Sequence, residues 1–75
     1  MMEIVKERRK RAGMSQFQLS QRSGVPRMKL SLAETGQIEL SQKEEEALRR
    51  ALTEYISAKA REIALLSQEQ HAVAG

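Results

Sequence analysis

The chain has no cysteine and no tryptophan, one proline, one histidine and only four glycines in 75 residues. Without cysteine there is no disulfide staple and no thiolate metal site. The single histidine, His71, has no second ligand candidate near it in sequence, so no metal or other cofactor is expected. No run of about 18 apolar residues occurs, which excludes a membrane-spanning helix. The charged N-terminus lacks the apolar segment of a signal peptide, and a cytoplasmic location is the expectation. Strand-like alternation, internal repeats and low-complexity segments are also missing. Enzymatic chemistry has no support. The carboxylates cluster at one helix start, and neither a phosphate-cradling glycine loop nor metal-ligand spacing is present, so no catalytic or metal residues are assigned.

What the chain has is a helical pattern punctuated by glycine. Residues 15–36, SQFQLSQRSGVPRMKLSLAETG, read as two short helices joined by a tight turn. The first spans 16–23 with Leu19 inward, and Gly24 stops it. The second is expected to open at Pro26 as its first helical residue and to run to Glu34. Leu30 and Ala33 face inward, and Gly36 stops it. Gly at one helix end and Pro at the next helix start is the sequence form of a helix-turn-helix. The second helix of such a unit commonly lies in the major groove of DNA.

Around this unit, a first helix is expected over residues 2–12, with Ile4, Val5 and Ala12 as a thin apolar stripe, ended by Gly13. Met14 then enters the core, and Ser15 is a good N-cap for the next helix. Residues 37–40 form a loop. Ser41 and Glu44 fit a capping box, S-x-x-E, that opens the last helix. The acids 44–46 complement its dipole. Apolar residues from Leu48 to Leu66 keep helical spacing, with no Gly or Pro from 42 to about 70. Two arrangements fit: one continuous helix of roughly 40 Å, or a break near Thr53 or Ser57 that makes two. The tail 72–75 is expected to fray.

Charge is divided unevenly. Residues 1–36 carry a net +5 and residues 37–75 a net −2, which together give the chain's +3. Only the half with the helix-turn-helix has the sign that DNA attracts. Arg27 can bond guanine O6 and N7 together, whereas its plainer role is phosphate or solvent contact. Met28 and Leu32 could pack on thymine methyl groups, or bury against another protein segment. The stripe on the last helix serves the core up to about Leu52. Beyond it, Tyr55, Ile56, Ile63 and Leu66 suggest a dimer seam, with packing back onto the first helix as the alternative.

With these residues in place, the chain resembles the Cro and lambda-repressor type of helix-turn-helix domain, often called Xre-like, over about residues 4–52. The resemblance is carried by Arg9, Gly13, Met14-Ser15-Gln16, Leu19-Ser20, Gly24-Val25, Leu30-Ser31, Ala33-Glu34, Gly36, and Leu48 with Ala51-Leu52. It implies an all-α, lambda-repressor-like bundle of four to five helices. Residues 1–52 would be the DNA-binding domain, and 53–75 a helical extension for dimerisation. It further implies that Arg27, Met28, Ser31 and Leu32 face the bases. Arg8, Ser15, Gln16, Lys29, Thr35 and Gln37 become phosphate candidates, with Gln16 alternatively bracing a recognition-helix side chain. Arg9 and Glu34 match a pair that ties the first helix to the end of the third. The sequence departs from the family pattern at Arg8, Ser20, Pro26, Leu40 and Glu45. The implied function is a homodimeric transcriptional repressor that binds double-stranded DNA and blocks a promoter. Two rivals stand beside it: an antitoxin-like protein that also holds a toxin, and a helical interaction module without DNA binding.

Overall fold

A computed structural model describes the backbone of residues 2–74 and the side chains of residues 2–67. The described residues form four α-helices and no strand: α1 (Met2–Arg11), α2 (Gln16–Ser23), α3 (Arg27–Glu34) and α4 (Gln42–Ala74). None of these helices is long and apolar enough to cross a membrane. Gly75 and the side chain of His71 lie outside the described residues.

α1 has Glu3 in its first turn and four basic residues in its last, each sign matched to the helix dipole. It stops at Arg11, one residue before the expected end. Val5 is buried, but Ile4 is 61% exposed. The two differ by about 100° around the helix axis, so only one can meet the core. Ile4 therefore leaves the expected apolar stripe.

α2 opens with a reciprocal capping box. The Gln18 N–H donates to Ser15 Oγ (3.1 Å), and the Ser15 N–H donates to Gln18 Oε1 (2.9 Å). Two amides that the first turn would leave unpaired are thereby satisfied. At the other end Gly24 is left-handed, φ 80°, and its N–H bonds Ser20 O at 2.9 Å. The turn to α3 is pinned by serines. Ser20 Oγ donates to Val25 O (2.6 Å), and Ser23 Oγ accepts the Val25 N–H (3.1 Å).

Pro26 is the N-cap of α3 rather than its first helical residue. Its ψ of 139° is extended, while its carbonyl already accepts the Leu30 N–H at 3.0 Å. Having no side-chain acceptor, it caps only through its backbone. α4 begins with the expected capping box. The Glu44 N–H donates to Ser41 Oγ (3.1 Å), and the Ser41 N–H to Glu44 Oε1 (3.0 Å). α4 then runs unbroken for 33 residues, about 50 Å at ~1.5 Å per residue. There is no break at Thr53 or Ser57, so the described residues form four helices. The helix passes through most of the tail expected to fray.

The core gathers side chains from every element. Leu19 of α2, Leu30 of α3, and Leu48 and Leu52 of α4 are completely buried. Each such leucine contributes about 1.5–3 kcal/mol by leaving water. Val25 and Leu40 close the core from the connecting segments. Tyr55 corrects the seam assignment. It is 8% exposed and belongs to this core, with the Arg22 guanidinium 5.1 Å from its ring centre. Ile56 packs half-buried at the core's edge. From Ser57 to Ser67 every α4 side chain is exposed, including Ile63 (61%) and Leu66 (54%). The molecule therefore measures 53 × 18 × 18 Å.

Candidate nucleic-acid interface

α3 is eight residues long, and its two faces differ in kind. Leu30, Ala33 and Glu34 point into the bundle. Arg27 and Met28 stand in solvent, Met28 with 76% of its surface exposed, while Ser31 and Leu32 are half-buried. These four residues and Gln16 of α2 line one shallow groove. All four expected base-reading residues therefore share a surface, with the start of α2 as its rim.

Three elements hold that surface in place through one carboxylate. Arg9 of α1 is buried and grips Glu34 bidentately, Nε to Oε2 and Nη2 to Oε1, both at 2.8 Å. Its remaining nitrogen, Nη1, donates to Met14 O at 2.8 Å. Gln16 Nε2 donates to Glu34 Oε1 at 3.0 Å. Of the two roles open to Gln16, the brace is the one with a bond. Burial alone would push the Glu34 carboxyl up. The bonds from Arg9 and Gln16, with the charges of Arg9 and Lys6, outweigh burial and hold it below its ordinary range. Glu34 is thus a fixed anion whose bonds are made inside the bundle.

A consequence for the outer surface follows. From Arg8 to Ile38 the sequence contains no other carboxylate than Glu34, and Glu34 is 7% exposed. No free negative charge stands on α2, α3 or the turn between them, while Arg22 and Arg27 are exposed there. The side chains of α2 and α3 thus offer an approaching polyanion cations, hydroxyls, amides and apolar groups, and no free carboxylate.

No family model, curated protein or solved structure matches the chain. The functional reading rests on the geometry of α1 to α3.

The phosphate candidates divide. Ser15 is exposed at the N-cap of α2, and its hydroxyl proton is not used by the capping bond it accepts. Thr35 and Gln37 are exposed just past α3. Thr35 Oγ1 reaches Leu32 O at 3.0 Å, and Gln37 Nε2 donates to Thr35 Oγ1 at 3.1 Å. Lys29 is not with them. Its ammonium bonds Glu44 Oε2 at 3.0 Å and ties α3 to the start of α4. That pairing, after the Ser41 backbone bond, keeps the Glu44 carboxyl below its usual range. Arg8 is also elsewhere, on the side of α1 that borders α4.

Phe17 was not singled out by sequence reasoning. It is 52% exposed on α2, next to Gln16. The signal was present, because residues 17 and 19 lie about 200° apart on a helix. With Leu19 inward, Phe17 had to face out.

Proposed function

We propose that this chain is a sequence-specific DNA-binding transcriptional regulator of the Cro/lambda-repressor type, acting as a homodimeric repressor in the cytoplasm. The observation that carries the reading is the α3 face. Arg27, Met28, Ser31 and Leu32 lie together beside the start of α2, on helices whose one carboxylate, Glu34, is bonded inside the bundle. In this reading α3 enters the major groove. Arg27 takes guanine through its forked donors, and Met28 and Leu32 pack on thymine methyl groups. Ser15, Thr35 and Gln37 touch backbone phosphates at either end of α3 and set its register. Two copies would present two such helices about 34 Å apart.

The experiment is selection of duplexes from a random pool at moderate salt, followed by gel shift with the wild type and Arg27→Ala. Wild type should enrich one motif with guanine beside thymine. Arg27→Ala should lose about 5- to 150-fold in affinity, concentrated at the guanine position. Absence of any enriched motif overturns the reading. Equal binding by Arg27→Ala removes Arg27 as the reader. The exposed end of α4 also suits the antitoxin-like alternative, in which it would hold a toxin.

A further inference from the structure

The apolar stripe of α4 does not stop where the bundle stops. Leu48, Leu52 and Tyr55 are buried. Ile56, Ile63 and Leu66 continue within about 80° of the same face. Beyond Ile56 the described side chains on this face, Lys59, Ile63 and Leu66, are all exposed. Three large apolar side chains of α4 remain more than half exposed: Ile63 and Leu66 on this face, and Leu65 off it.

At the same place α4 and the end of α1 form an apolar groove. Ile56, Ala60 and Ile63 line it with Ala12, and the cations Arg8, Arg11 and Lys59 rim it. Ala12 and Ala60 are small, which leaves room for a large side chain from outside. A basic rim calls for an occupant with an acid beside its apolar knob. The chain has one: Glu62 lies one helical turn before Leu66, on the same side of α4.

We propose that a second copy of this chain packs antiparallel along α4, so that each copy's Leu66 enters the other's groove beside Ile56. This deepens the homodimer reading above and rests on it, but not on DNA recognition. In antiparallel register, Ile56 layers on Leu66 of the second copy, and Ala60 on its Ile63. Lys59 then lies beside Glu62 of the second copy. In parallel register Lys59 would face Lys59, a like-charge contact at the centre of the seam. The antiparallel arrangement is isologous, since each chain supplies both groove and knob. With so few layers the seam falls short of the roughly 800 Å² per partner of a standard interface, so self-association should be micromolar rather than nanomolar.

The absence of cysteine makes the test clean. In the full chain, Ile56→Cys with Leu66→Cys should form covalent dimers on mild oxidation, while each single variant forms few. Sedimentation equilibrium should give a dimer for the wild type at tens of micromolar. Ile63→Arg, at an exposed position that cannot unfold the bundle, should weaken it about tenfold or more, with helicity unchanged by circular dichroism. A monomeric wild type at that concentration overturns the proposal. So does unaltered self-association of Ile63→Arg, or single-cysteine variants that cross-link as readily as the double. None of these readouts involves DNA. A chain that dimerises this way but selects no sequence refutes the regulator reading alone, and one that selects DNA as a monomer refutes the seam alone.

Discussion

Replacing Arg9 with methionine is the sharpest test of how the reading face is held. The change keeps an unbranched apolar stem without the guanidinium and removes three hydrogen bonds of 2.8 Å, two to Glu34 and one to Met14 O. Glu34, whose side chain is 1% exposed, would keep one partner, Gln16. Breaking a buried pair from one side costs about 3–5 kcal/mol, because the remaining charge is left without compensation. A chain of this size has about 4–11 kcal/mol in all. Arg9→Met should therefore lose about a quarter or more of the stability, with a fall in melting temperature above about 12 °C. Arg9→Met combined with Glu34→Leu removes both charges and should recover most of the loss. It should remain about 1–2 kcal/mol below wild type, because Met14 O keeps no Arg9 partner. Urea unfolding followed by far-UV circular dichroism measures all three proteins. One fixed protein concentration is needed, since self-association would shift the midpoints. A single variant within about 1 kcal/mol of wild type, or a double variant no better than the single, would refute the claim that Glu34 depends on Arg9.

Acid should act through the same carboxylate. Its folded pKa is depressed below the ordinary 4.5, so its contribution is complete above that value and is lost as pH falls through the folded pKa. Urea midpoints between about pH 6 and about pH 3 should fall less steeply for Glu34→Gln than for wild type; parallel curves would assign the acid limb to other groups. Gly24→Ala isolates backbone strain, because a Cβ at Gly24 meets nothing within 4 Å while φ is +80°. It should cost about 1–2 kcal/mol in urea unfolding, and an unchanged midpoint would contradict the left-handed turn.

The parts of the fold legible in the sequence were those written in short-range patterns. The three glycine stops, the Ser41–Glu44 capping box and the inward leucines are local patterns, and each is found where its spacing puts it. The four base-reading candidates share a face for the same reason, since their spacing fixes their angles on α3. Tyr55 was misassigned because helical period gives direction but not the reach of neighbouring elements. It points along the same stripe as Ile63, yet Tyr55 is covered, with Arg22 of α2 over its ring, and Ile63 stays exposed among the described residues. Lys29 was misplaced for a related reason. Its partner Glu44 stands 15 residues away across a loop, and no local pattern encodes that approach. Pro26 differs by a single position, because a residue with fixed φ suits both the N-cap and the first turn.

The projecting half of α4 also changes how the protein moves through solution. A body about three times longer than it is wide experiences more drag than a sphere of equal mass. A single chain will therefore leave a gel-filtration column early, near the position of a compact protein of greater mass. Elution volume will imitate self-association in a monomer, and only a measurement of mass itself will separate one chain from two.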